Sequence, residues 1–248
     1  MRLPSALARA AGSERSHAAN RQLAMLLALV AGVLNSVGFV AVSLYTSHMT
    51  GLVASTADNV SGRSWAVAGL DATAVASFLV GAATCAIVFN WGRRRHREAR
   101  YANVLGLQAI LVLTIAVTAD HLRWHHRAWV IVPVLCFTMG LQNAIITKIS
   151  SAQIRTTHVT GMVTDIGIEL GKLLYRSRTP GLLPVLPDLP KLRMLTELVG
   201  LFFVGGVLGS ASYVAFGFAT LLAPALLLIL VAVPPVLIDR SSRRSTAA

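Results

Sequence analysis

Residues 23–44, 72–91, 101–119, 128–147, 198–216 and 218–238 form six apolar stretches of about 20 residues each, and none contains Asp, Glu, Lys or Arg. A helix rising about 1.5 Å per residue crosses a hydrocarbon layer of about 30 Å at this length, and only helices or closed barrels satisfy their backbone groups there. The expected fold is therefore all-α, a polytopic membrane protein with six transmembrane helices. Only a turn near Gly217 separates the last two stretches, and Pro224, Pro234 and Pro235 are expected to kink or end the final helix.

Composition agrees: 55% of the chain is hydrophobic and 13% charged, about half the charged share of an ordinary soluble domain. The formal net charge of +12 does not point to nucleic acid, because the basic residues lie between the apolar stretches and are not interleaved with aromatics. Their placement orients the chain instead. With the amino terminus inside, all of the 22 Lys and Arg residues except Arg63, Arg123 and Arg127 fall on the cytoplasmic side, as the positive-inside rule requires. Both termini are then cytoplasmic. A basic tail covers 1–21, a single membrane domain 22–238, and a second tail 239–248. The first twenty residues have no apolar core, so no cleaved signal is expected. Cys85 and Cys136 lie inside apolar stretches and match no metal spacing.

The charge split holds only if residues 47–71 begin and end outside. This segment, with Asp58, Asn59 and Arg63, reads as a short interfacial or re-entrant helix. A counterpart follows the fourth stretch, and the chain repeats itself in order. Gly32-Val-Leu-Asn35 matches Gly140-Leu-Gln-Asn143, His48 and Gly51 match His158 and Gly161, and "FLVGA" from Phe78 matches "FFVGG" from Phe202. Each half, about 22–120 and 128–238, holds three spans plus a short helix. Three is odd, so contiguous halves must be inverted relative to each other, a plan common among secondary transporters.

The repeated unit is a small hydroxyl residue, histidine, an apolar residue, then Thr-Gly: "SHMTG" at 47–51 and "THVTG" at 157–161. Together with Gly-x-x-Asn in the preceding span, it resembles the YoaK family of bacterial inner-membrane proteins, the domain of unknown function numbered 1275, over about residues 22–238. An Asn commonly follows the Thr-Gly in that family, whereas Leu52 and Met162 stand here. The resemblance implies a multi-span membrane protein and names no activity.

Two physical readings of the motif stand side by side. Thr50 and Thr160 can cap a helix start next to glycines that permit close backbone approach. Alternatively, two half-helix amino termini offer N–H groups and positive dipole ends to a solute, with Ser47, His48, Thr50 and Gly51 matching Thr157, His158, Thr160 and Gly161. Imidazoles also change charge near neutral pH. Asn35 and Asn143 are amides within spans and need partners, either another helix or a polar solute path. Asp165 and Glu169 share a helical face with His158; they carry a coupling proton if that helix dips into the protein and are solvated if it lies on the surface.

The sequence has no Gly-x-Ser-x-Gly elbow, His-Glu-x-x-His helix, phosphate loop or dinucleotide fingerprint, so no enzyme and no cofactor are expected. "DHLRWHHR" at 120–127 fits an interfacial aromatic belt better than a metal site. The sequence thus reads as a permease-like transporter of an unidentified small solute, or a non-transport scaffold or sensor. Its partners are the lipid bilayer and that solute, with assembly into a homo-oligomer left open.

Overall fold

A computed structural model describes residues 17–94, 100–149, 158–175 and 184–246. Every regular element among them is helical: α1 (His17–Val42), α2 (Met49–Ser61), α3 (Trp65–Arg94), α4 (Arg100–Thr118), α5 (Trp124–Ile149), α6 (Val159–Leu174), α7 (Leu189–Phe216) and α8 (Leu222–Thr246), with short 3-10 turns before α5 and α8. Five stretches are long and apolar enough to cross a membrane: Ala19–Val42, Trp65–Arg94, Tyr101–His121, His126–Lys148 and Leu189–Leu237. The last runs 49 residues but is broken at Gly217, whose φ of +56° and following turn reverse the chain between α7 and α8.

Several helices outrun their apolar stretches. α1 starts at His17 and α7 at Leu189, so Arg21, Lys191, Arg193 and Glu197 are helical. Asp188 caps α7, accepting from the Lys191 amide at 3.0 Å, with Pro190 in the first turn where its missing N–H costs nothing. Residues 47–71 are not one short helix. α2 ends at Ser61, Arg63 takes a left-handed φ of +59°, and α3 starts at Trp65, so Asp71 belongs to a long apolar helix. Pro234 and Pro235 do not end α8, which continues past them to Thr246; apolar helices tolerate the lost hydrogen bonds when neighbours pack around them.

Two helix pairs form the frame, and both are parallel. On α1 and α7, Arg21 meets Glu197 and Val33 meets Gly209. On α3 and α5, Gly69 meets Trp129 and Phe89 meets Lys148. Between the pairs, Leu27 meets Gln142 and Gly38 meets Leu135, so α1 and α5 run in opposite directions. The crossings use matched residues. A Cβ built on Gly32 would stand 2.1 Å from the Phe202 carbonyl oxygen, and one on Gly140 2.1 Å from that of Phe78. A Cβ built on Gly205 or Gly81 would collide in the same way with the carbonyl of Leu29 or Phe137. Without aqueous hydrophobic drive between lipid-facing helices, such glycine contacts supply the dispersion that holds them together.

α4 and α8 pack against each other, and with α1 and α5 they enclose the main apolar core of Leu27, Leu34, Leu105, Val112, Leu135, Ile145 and Leu228. A smaller core of Leu44, Leu52, Ala74, Val132 and Cys136 seats α2 against α3 and α5. Within the main core Gln108 donates to Gln142 Oε1 at 2.6 Å, and Gln142 donates to the Leu27 carbonyl at 2.5 Å, tying α4, α5 and α1 together.

Candidate functional site

Ser43 adopts a left-handed φ of +56° and stops α1, and its N–H donates to the Phe39 carbonyl at 2.7 Å. The chain then doubles back. Tyr45 stacks on Phe39 with ring centroids 4.2 Å apart, and Ser47 returns to Asn35, seven residues before the end of α1 at Val42. Asn35 Oδ1 accepts from the Ser47 amide at 3.1 Å and from its hydroxyl at 2.9 Å. A buried amide in a span thus finds its partners in the motif itself, and these bonds aim α2.

His48 is the N-cap of α2 and His158 the N-cap of α6, with nearly equal dihedrals (φ −92°, ψ 62° and φ −84°, ψ 57°). The helices begin two residues earlier than a Thr cap demands, because the His48 carbonyl already accepts from Leu52 at 3.0 Å and that of His158 from Met162 at 3.1 Å. Thr50 and Thr160 therefore lie inside the first turn and are not caps. Neither imidazole caps its helix by a hydrogen bond. Each lies over the glycine instead. A Cβ on Gly51 would stand 2.5 Å from His48 Nδ1 and Cε1, and one on Gly161 2.5 Å from His158 Nδ1. The glycine of the motif makes room for the histidine ring.

Both helix starts open on one cavity of about 750 Å³. Its walls come in matched pairs: Asn35 with Asn143, His48 with His158, Thr50 with Thr160, and Phe78 with Phe202. Ser47 and Tyr45 complete one side, Ala144 and Thr147 the other. Among the described residues that line it there is no Asp, Glu, Lys or Arg. Of the residues singled out from the sequence, Asn35, Ser47, His48, Thr50, Asn143, His158 and Thr160 are thereby brought together. Gly51 and Gly161 sit beneath the imidazoles, and Thr157 lies outside the described residues.

Asp165 and Glu169 stand elsewhere on α6. Asp165 pairs with Lys191 at 3.1 Å. Glu169 is buried, not solvated: it accepts from Lys172 Nζ and from the Asp188 amide, both at 2.8 Å, which fastens α6 to the start of α7. The Lys172 hydrogen bond first, and the Asp188 amide second, hold its carboxyl below the usual carboxylate range. In "DHLRWHHR", Arg127 lies over the Phe218 ring, 5.7 Å from its centroid, and among the described residues no three His, Cys, Asp or Glu side chains converge as metal ligands.

Sequence reasoning passed over three buried polar residues. Asp71 is 4% exposed and accepts from the Ser55 hydroxyl at 2.6 Å, joining α3 to α2. It stands one residue before an apolar stretch, so a boundary drawn by hydropathy discarded it. Gln108 and Gln142 are fully buried, and the argument applied to Asn35 and Asn143, that an amide within a span needs a partner, would have found both.

Residues 23–234 match the model of a family described as "Protein of unknown function (DUF1275)". No curated protein and no solved structure matches the chain.

Proposed function

We propose that this chain, which belongs to the DUF1275 family, is a permease-like transporter of a small solute, with six transmembrane helices arranged as two inverted halves. The observation that carries the reading is the single cavity shared by both copies of the motif. Discontinuous helices whose amino-terminal ends meet between repeats are a recurring way to hold a solute inside a membrane protein. A duplicated motif kept only for architecture has no need to converge on empty space.

Several features support the finer reading. The 49-residue apolar stretch is too long for one crossing, and its break at Gly217 makes two. Exchanging α1 with α5 and α3 with α7 maps one parallel pair onto the other with its direction reversed, and the glycine crossings map with it. The end of the bundle bearing Arg21, Arg93, Arg94, Lys148 and Arg193 is then cytoplasmic, with both termini, in a bacterial inner membrane.

Two experiments test this. Single cysteines in place of Arg94 and Arg63 should react with an impermeant maleimide from the cytoplasmic and the outer side respectively; labelling of both from one side would sink the inverted arrangement. A solute found by thermal-shift screening should accumulate in proteoliposomes of the parent protein and not in those of Asn35→Leu. Binding that depends on Asn35 without any uptake would instead make the chain a sensor.

A further inference from the structure

The transport reading leaves the solute's chemistry open, and one side chain narrows it. Asn35 is 8% exposed and lines the cavity. Which end of its amide faces which way follows from its neighbour. The Ser47 backbone amide can only donate, so the atom it meets at 3.1 Å is the carbonyl oxygen, and the Ser47 hydroxyl donates to that same oxygen. Asn35 Nδ2 is left without a hydrogen-bond partner among the described residues, an open donor of a largely buried residue at the cavity wall. From there it can donate to an acceptor held in the cavity.

The rest of the wall has the same polarity. The first turns of α2 and α6 turn their N–H groups and positive dipole ends toward the cavity, uncapped by the histidine side chains. Among the described lining residues there is no carboxylate to hold a cation, and no Lys or Arg to neutralise a second negative charge. Phe78 and Phe202 line the same cavity, which at about 750 Å³ is far larger than an inorganic ion.

Resting on the transport reading of this site, we infer that the solute is a monovalent organic anion, a carboxylate with a compact apolar body. Its carboxylate accepts from Asn35 Nδ2 and from the start of α2 or α6, while its body packs between Phe78 and Phe202. A wall whose described residues offer donors but no fixed cation binds such an ion without trapping it, as passage requires.

Benzoate, benzamide and benzylammonium share a phenyl ring and carry an anionic, a neutral and a cationic group respectively, and isothermal titration of the detergent-purified full-length protein with each separates the classes. Asn35→Asp keeps the oxygen that Ser47 holds and replaces only the free donor with a negative oxygen. Thr160→Asp adds a charge to the wall within the first turn of α6, where an acid favours the helix, so it serves if the first variant melts early. Benzoate should bind the parent at least about tenfold more tightly than the other two, and either Asp variant should weaken it by about tenfold or more, a free-energy difference of about 1.4 kcal/mol. Equal binding of benzamide or benzylammonium, still lost in Asn35→Asp, overturns the anion and leaves the cavity as the solute site. Benzoate binding unchanged in both folded Asp variants overturns the placement, and no binding by any of the three overturns the inference altogether.

Discussion

α2 and α6 begin alike and end differently. Each starts with a histidine N-cap folded over a glycine three residues on, and each opens on the shared cavity. Beyond the first turn the likeness stops. α2 is held to the bundle by the Ser55 hydroxyl and the buried carboxylate of Asp71, with Asn59 donating to Ser55. α6 is held by Glu169, which gathers Lys172 and the Asp188 amide, and by the Asp165–Lys191 pair. The starts are kept equal where both copies face one space, whereas each body answers to its own neighbours. Lys172 and Lys191 favour the carboxylates on α6, whereas α2 contributes a hydroxyl, Ser55, to an acid buried on α3.

The largest expected effect lies in the frame that both short helices lean on. Gly32→Leu and Gly140→Leu should each lower stability in detergent by about 3 kcal/mol or more, because the new side chain meets a backbone carbonyl that has nowhere to go. Gly167→Ala, which has open space, should be neutral or slightly stabilising. Similar melting of all three variants would break the packing account.

Next come the shared starts. Gly51→Ala and Gly161→Ala should each cost about 1–3 kcal/mol, and removing the ring in the double variants with His48→Ala or His158→Ala should restore most of it. A double-mutant cycle with no coupling at either site would show that the imidazoles do not rest on the glycines. In the bodies, Asp71→Leu should destabilise by about 1–3 kcal/mol by stranding the Ser55 hydroxyl, and Ser55→Ala should reduce the penalty.

Acid should separate the two bodies further. The Glu169 carboxyl is held below its unfolded value, so the unfolded chain binds its proton more readily. Its stabilising contribution is present above the ordinary glutamate range and is lost as pH falls through the depressed folded value. Melting temperature against pH should therefore lose part of its acid limb in Glu169→Gln; an unchanged limb would assign that limb to other carboxylates. The smallest effects belong to Thr50→Ala and Thr160→Ala, which should stay within about 0.5 kcal/mol, since neither residue caps its helix.

The apolar stretches, the repeat and the asymmetry of basic residues were legible because each is one-dimensional: helix length, residue order and loop charge need no knowledge of neighbours. Asn35, His48, His158 and Asn143 could be named for the same reason, as polar groups out of place or written twice. Which face of each helix turns inward was not legible. A membrane helix is apolar all round, so the periodicity that marks the buried side of a soluble helix is absent. Rotation and register were decided by the glycine crossings, whose partners lie more than 100 residues away for Gly32 and about 60 away for Gly140. Burial of Asp71, Gln108, Gln142 and Glu169 followed from that packing, as did the change of Thr50 from cap to first-turn residue. The sequence by itself determined that two equal helix starts exist; only the tertiary structure decided that they meet, because convergence depends on two parallel pairs crossing at the depth where their glycines allow backbone to touch backbone.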